Sequence, residues 1–247
     1  METIDNLILY GRNACLEALK AGRSAEKLYI QEDLNSGSLK SILSEARKAG
    51  LRPESVKKEF LDRLCGDKHH QGAALKLSAF SYSSLEDCFR KAEEKQEDIF
   101  LFLLDGIEDP HNLGAIIRTA NLCGAHGVII PKDRSAGLTA TVAKTSAGAL
   151  MYTPVVKVVN LARTIDELKK RGVWFVSADM DGTRMYDLNL KGPIGLVIGS
   201  EGEGVSRLVR EKCDMTASIP MKGDIDSLNA SVAAGVLAYE ITRQRLS

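Results

Sequence analysis

Six short strand-like runs, most of them apolar throughout, lie within residues 98–247, and helical patterns separate most of them. The runs are 99–104, 127–130, 155–158, 173–176, 194–198 and 216–219. Stretches of this length that are apolar throughout, rather than at alternate positions, mark strands buried on both faces. Strands alternating with helices predict a mostly parallel sheet covered on both sides. In such a sheet the loops after the strands gather at one end, and there the site is built.

The preceding residues form a different pattern. A strand is predicted over 7–10, a helix over 13–21 stopped by Gly22, a strand over 27–30 and a helix over 39–49 with Gly50 as its C-cap. A helix over 57–64 and a strand over 73–77 complete a small α/β unit. Residues 81–84 are loop-like and can cap a following helix, and residues 85–96 are highly charged. The expected organisation is a first domain over 1–77, a connection over 78–97 and a second domain over 98–247.

Bulk properties exclude several classes. The formal net charge is zero, which argues against an indiscriminate nucleic-acid coat but leaves room for local basic patches. Candidates for such a patch are Arg12, Arg23, Lys27, Lys132, Arg134, Lys222, Arg243 and Arg245. No stretch approaches the ~20 apolar residues that span a bilayer. The N-terminus, Met-Glu-Thr-Ile-Asp, lacks the basic region of a signal peptide. The five cysteines (15, 65, 88, 123 and 213) are scattered and suggest neither zinc ligation nor a disulfide framework. Cys15 and Cys123 fall in helical patterns as buried thiols. The expectation is a metal-free, cytoplasmic protein without a membrane partner.

Three loops carry chemistry. The first is Asp109-Pro110-His111-Asn112-Leu113-Gly114, after the strand ending at Asp105-Gly106. A helix is predicted from near Asn112, with Leu113, Ile116, Ile117, Ala120 and Gly124 on its buried face and Arg118 directed away. On these residues alone, Asp109 or Asn112 is an N-cap, Pro110 a first-turn proline and Arg118 a solvated side chain. The second loop, Gly199-Ser200-Glu201-Gly202-Glu203-Gly204, precedes a predicted helix over 205–212. Its glycines permit positive φ and close approach to a ligand. The G-x-x-G-x-G spacing is not that of a dinucleotide site. Two carboxylates disfavour phosphate and suit a cation. The third runs from Ile219-Pro220-Met221 to Ser227-Leu228-Asn229, with Ser227 as the expected N-cap of a helix over 228–245. In that helix Val232, Val236 and Tyr239 share a face, while Ala230, Ala233, Ala234, Gly235 and Ala238 let a partner helix come close. Lys132-Asp133-Arg134 follows another strand and suits phosphate contact.

The order and wording of the three loops resemble the motifs of the SpoU (TrmH-type) RNA ribose methyltransferases of the SPOUT superfamily. The resemblance covers roughly 98–247. Tyr10-Gly11-Arg12 and His70-Gln71-Gly72 are similar to the small substrate-binding domain of these enzymes, which resembles ribosomal protein L30e. The resemblance implies an α/β domain with a trefoil knot, a homodimer and S-adenosylmethionine as cofactor. It implies catalytic or active-site roles for Arg118, Asn112, Glu201, Ser227 and Asn229. It places the cofactor against Gly199, Glu201, Gly202, Ile219, Leu228 and Asn229, and RNA against Arg12, Lys132 and Arg134. The closest likeness is to the branch that methylates the 2′-hydroxyl of a guanosine in large-subunit ribosomal RNA. A tRNA ribose methyltransferase and a non-catalytic RNA-binding or ribosome-assembly module are the alternatives.

Overall fold

The computed structural model describes residues 8–32, 37–78, 80–224 and 227–247, with the side chains of 37 and 38 outside the description. Leu7 and the acidic N-terminus read above therefore lie outside the described residues, as does Asp226 of the third loop. The chain divides into two compact units, one from the first 81 residues with 137–140, the other from 82–136 with 141–247.

In the first unit the elements are β1 (Ile8–Tyr10), α1 (Arg12–Lys20), β2 (Ala25–Gln31), α2 (Gly37–Lys48), β3 (Pro53–Val56), α3 (Lys58–Cys65) and β4 (Ala73–Leu77). They form a mixed sheet in the order β1-β4-β2-β3, with only the β2–β3 pair parallel. One face packs Leu28, Ala73 and Leu75 against Cys15, Leu19 and Ile42 of α1 and α2. The other packs Tyr29 and Ala74 against Leu61 of α3. Strand β3 escapes the sequence pattern because Val56 is its one buried residue.

The second unit opens with α4 (Leu85–Lys95), inside the stretch read as a connection. Ser84 caps it reciprocally with Asp87, a capping box, which explains why so charged a segment is helical. Its Cys88 and Ala92 are buried in the unit's core. There follow β5 (Phe100–Asp105), α5 (Pro110–Leu122), β6 (Gly127–Pro131), α6 (Ala140–Thr145), β7 (Val155–Val158), α7 (Leu161–Lys169), β8 (Trp174–Arg184), β9 (Ile194–Gly199), α8 (Arg207–Arg210), β10 (Met215–Ser218) and α9 (Ala230–Leu246). The sheet order is β10-β8-β9-β5-β6-β7, and every pair is parallel. Helices α4, α7 and α8 cover Leu101, Leu103, Ile129 and Val197 on one face. Helices α5 and α9 pack together on the other face, with α9 against β9 and α5 against β6. The chain leaves β5 in one direction to β6 and later sets β9 on its other side, so the carboxyl ends of β5 and β9 flank a switch point.

Three expected boundaries change. Gly124 lies past the end of α5, at φ 75°, and serves the turn rather than the buried face. The helix expected over 205–212 shrinks to four residues, because Val205 is drawn into the core and Ser206 is tied to the sheet. Strand β8 runs eight residues past Val176, because its polar end pairs with β10 at Ala217 and Ser218.

At the amino ends of the strands, His126 is wholly buried. Its Nδ1 accepts the Phe100 N–H at 2.9 Å, and its Nε2 faces Glu97 at 3.1 Å. Burial holds its pKa down at about 4, against the pull of Glu97. The unfolded chain therefore takes up this proton first as pH falls through the ordinary histidine value of 6.5. Stability should decline from about pH 6.5 to about pH 4. Urea midpoints of the protein and of His126→Gln, compared across that range, should converge as pH falls; a constant difference between them would reject the assignment.

Candidate active site

The sequence around Asp109 positions the first functional side chain. Asp109 is the N-cap of α5, accepting the His111 N–H at 3.0 Å, and Pro110 occupies the first turn, where its missing N–H costs nothing. Asn112 is therefore not a cap. It projects from the first turn and donates through Nδ2 to Glu201 Oε1 at 3.0 Å.

Glu201 stands in the turn after β9. Ser200 and Gly204 exchange backbone hydrogen bonds of 3.2 and 2.9 Å, closing residues 200–204 on themselves. Gly204 has φ 64°, and a Cβ on Gly199 would strike the Gly204–Val205 backbone, so these two glycines are required by the turn itself. The far end is pinned by Asp105, a buried carboxylate at the tip of β5, which accepts the Ser206 N–H at 2.8 Å.

The third loop delivers Asn229, which replaces Ser227 as the N-cap of α9. Its Oδ1 accepts the Ser231 N–H at 3.0 Å. Its Nδ2 reaches Asn112 Oδ1 at 3.0 Å and also Glu201 Oε1. Three loops far apart in sequence thus meet at one carboxylate oxygen.

Beside this cluster lies a cleft of about 260 Å³. Gly199, Glu201, Gly202, Ile219, Ser227 and Leu228 line it, and Asn229 is not among the lining residues. Ile198, Ile219, Leu228 and Leu237 supply apolar surface, and Asp179, Glu201 and Glu203 supply carboxylates; no Lys, Arg or His lines it among the described residues. Apolar walls with acidic groups and no basic ones fit a ligand that carries a flat apolar body and a positive charge, such as an adenosyl sulfonium. They do not fit a polyphosphate. Asp179 and Met180 were not foreseen; they come from the polar extension of β8, where only an acidic residue past a strand end gave a signal. Burial works against the Asp179 charge, but the Asp181 N–H and Arg210, at 2.7 Å, hold the carboxylate below its ordinary value.

Other expected site residues lie elsewhere. Arg118 is exposed on α5 and is not among the cleft-lining residues. Six residues beyond Asn112, it stands roughly 9 Å further along the helix axis. Lys132 and Arg134 follow the carboxyl end of β6, with Arg134 at φ 52°. In the first unit, Arg12 Nε donates to the Gln71 carbonyl at 2.8 Å, so Tyr10-Gly11-Arg12 and His70-Gln71-Gly72 do meet. Buried His70 shapes that loop, its Nδ1 accepting the Gly72 N–H at 3.0 Å and its Nε2 facing Asp62 at 3.0 Å. Other members of the expected basic patch are also engaged: Lys27 with Glu54, Arg243 with Glu240, and Arg245 with the carbonyls of Asp98 and Ile99. The small residues of α9 pack mainly within the chain, where Ala230, Ala234 and Ala238 are buried and Gly235 faces Thr119 of α5.

Asn229→Asp separates the two tasks of that residue. Aspartate caps a helix as well as asparagine does, whereas loss of a cap costs about 1 kcal/mol. It also removes the Nδ2 donor that orients Glu201. The variant should keep its melting temperature and lose tenfold or more in affinity for a sulfonium ligand by calorimetry, on the order of 1.4 kcal/mol. Unchanged affinity would show that the cluster does not shape the cleft.

A family model described as the SpoU rRNA Methylase family matches residues 99–239, and one described as RNA 2′-O ribose methyltransferase substrate binding matches residues 8–83. YacO of Bacillus subtilis (strain 168), assigned to the TrmH family of tRNA/rRNA methyltransferases, is 47% identical over 238 residues, 95% of this chain and 94% of that protein. The solved SpoU methyltransferase AviRb from Streptomyces viridochromogenes, in complex with AdoMet, matches with a TM-score of 0.62 and 27% identity over 97% of this chain and 90% of that one. The A. aeolicus TrmH/SpoU tRNA modifying enzyme matches with a TM-score of 0.55 and 29% identity, over 65% of this chain and 83% of that one. With both of its units matched, the chain belongs to the SpoU family of RNA methyltransferases.

Proposed function

We propose that the protein transfers a methyl group from S-adenosylmethionine to the ribose 2′-hydroxyl of a guanosine in large-subunit ribosomal RNA. The observation that carries this reading is the meeting of Asn112, Glu201 and Asn229 beside an acidic, partly apolar cleft that Glu201 lines. When bound, the donor supplies an electrophilic methyl on a sulfonium. Gly199, Gly202, Ile219 and Leu228 would hold its adenosyl part, and Glu201 would face its charge. Ser227 lines the same cleft, and Asn229 orients Glu201.

Transfer would exchange the donor's S–CH₃ bond for an O–CH₃ bond, with the hydroxyl proton passing to solvent water. Negative charge therefore develops on the ribose oxygen, where a guanidinium stabilises it. Arg118 suits that role, and it can also hold a neighbouring phosphate bidentately. It is not the base, because guanidinium keeps its proton up to a pKa of about 12 or more.

Arg118 stands on a face fit for a second copy of the chain. Leu122 lies one turn further along the same stripe of α5 and is exposed. Helix α5 packs against α9 and the short helical turn Ala149–Met151. These neighbours expose Val232 and Tyr239, and Met151 and Tyr152. Covering them in a homodimer would complete the ribose site at the interface. A trefoil threading of the C-terminal segment and a cytoplasmic location belong to the same reading. The five free cysteines suit a reducing compartment, and no helix among the described residues is long and apolar enough to cross a membrane. The first unit favours ribosomal RNA over tRNA, because the tRNA-modifying neighbour matches only 65% of this chain.

Arg118→Ala should bind S-adenosylmethionine normally and lose methyl transfer on the order of 10²-fold or more. Full activity in that variant would remove the arginine from the mechanism. Tyr239→Glu should give a monomer by light scattering and an inactive enzyme. Mapping 2′-O-methyl marks on ribosomal RNA and tRNA from cells lacking the protein names the substrate; a mark lost only from tRNA would overturn the ribosomal assignment.

A further inference from the structure

Strand β8 breaks its pairing with β10 beside the cleft. Ser177 pairs with Thr216, and the next pair is Thr183 with Ala217, so residues 178–182 bulge out of the ladder. The base of the bulge is fixed. Ser218 Oγ donates to the Gly182 carbonyl at 2.9 Å, and a Cβ on Gly182 would strike the Thr216 carbonyl oxygen. Its tip is fixed through Asp179. The Asp181 N–H donates to Asp179 Oδ1 at 3.2 Å, and Arg210 of α8 donates to Asp179 Oδ2 at 2.7 Å. In a regular strand successive side chains take opposite faces. Here three consecutive residues, Ala178, Asp179 and Met180, all line the cleft. Re-aiming side chains toward a site is what bulges of this kind do.

The cleft thus holds two carboxylates with chemically different partners. Glu201 accepts from two carboxamides, which orient it and leave its charge intact. Asp179 accepts from a guanidinium, which offsets its charge in place. The Asp179 side chain is 20% exposed, and Arg210 is not among the cleft-lining residues. A compensated carboxylate attracts a cation weakly, but it remains an oriented acceptor. An ionised carboxylate has about four acceptor positions. Arg210 and the Met180 and Asp181 N–H groups engage three of them, which leaves one for a ligand in the cleft. A neutral hydroxyl suits that position. An adenosyl ligand carries such hydroxyls on its ribose, while its sulfonium is better served by Glu201.

We propose that Asp179 accepts a hydrogen bond from a ribose hydroxyl of the methyl donor, and that Arg210 positions it for that bond. This inference rests on the S-adenosylmethionine reading and divides the ligand between the two carboxylates, the charge to Glu201 and the sugar to Asp179. A ligand that lacks the hydroxyl leaves the acceptor unfilled and is rejected.

Calorimetry with S-adenosylmethionine, S-adenosylhomocysteine and the 2′-deoxy and 3′-deoxy forms of S-adenosylhomocysteine tests the division. The unaltered protein should bind one of the deoxy forms at least about tenfold more weakly than S-adenosylhomocysteine. Asp179→Ala should bind that deoxy form and S-adenosylhomocysteine alike. It should also weaken S-adenosylmethionine and S-adenosylhomocysteine by the same factor, about tenfold or more, because the lost bond is to the sugar they share. Arg210→Gln should reduce the discrimination between the ribose and deoxy ligands, and Arg210→Lys should restore it. A merely structural role would weaken all the ligands equally. Should Asp179→Ala fail to fold, the unaltered protein and the Arg210 variants still decide. Equal binding of the ribose and deoxy ligands by the unaltered protein overturns the assignment. So does discrimination that survives in Asp179→Ala, or a loss in that variant confined to the sulfonium ligand. Failure of the unaltered protein to bind either S-adenosylmethionine or S-adenosylhomocysteine overturns instead the donor reading on which the inference rests.

Discussion

Glu201 Oε1 is the atom on which the site's geometry turns. It accepts from Asn112 on α5 and from Asn229 at the start of α9, residues 117 apart in sequence that also bond to each other. Both donors are carboxamides. A guanidinium in either place would hold the loops together equally well, but it would cancel the carboxylate's charge. Neutral donors orient the group and leave its negative potential facing the cleft. The arrangement is a strong selector for a cation, achieved without burying an ion pair and without the desolvation that burial would bring.

The parallel sheet makes this convergence possible. β5 and β9 are hydrogen-bonded neighbours with Asp105 opposite Gly199, so the loops that follow them start side by side. Asp105 then ties the second loop back at Ser206, and the glycine turn is held at both ends. The packing of α9 on α5, through alanines and Gly235, sets the axial position of Asn229 against Asn112. A bulkier residue on that face would separate the helices and open the cluster. The small residues of α9 thus act within the protomer.

Much of this was legible in the sequence. Strand-like runs marked every strand of the large sheet, most plainly β5 and β9, which are buried on both faces, and more weakly β7 and β10, which carry Lys157, Thr216 and Ser218. The glycine turn, Asn112 and Asn229 stood out as polar loops after such runs. What the pattern hid depends on tertiary contact. Which of Asp109 and Asn112, or of Ser227 and Asn229, caps a helix is decided by backbone geometry, since Asp, Asn and Ser all can cap. The extension of β8 through Asp179 and Gly182 is polar and becomes a strand only because β10 pairs with it. Strand β3 and the Asp105 anchor are equally silent, one having a single buried residue and the other resembling any turn aspartate.

Zero net charge also acquires a physical sense. Many of the basic side chains are spent on neutralising neighbours or on fixing carbonyls, as Lys27, Arg243 and Arg245 are. The field that remains cannot draw RNA from a distance with the force of a strongly basic surface, and long-range attraction between exposed charges is screened beyond about 8 Å in physiological salt. Recognition must then come from short-range sites whose spacing has to match the nucleic acid. For an enzyme that modifies one hydroxyl among many chemically identical ones, weak overall attraction with rigidly spaced contacts favours the correct register, because a misplaced strand satisfies one contact and loses the others.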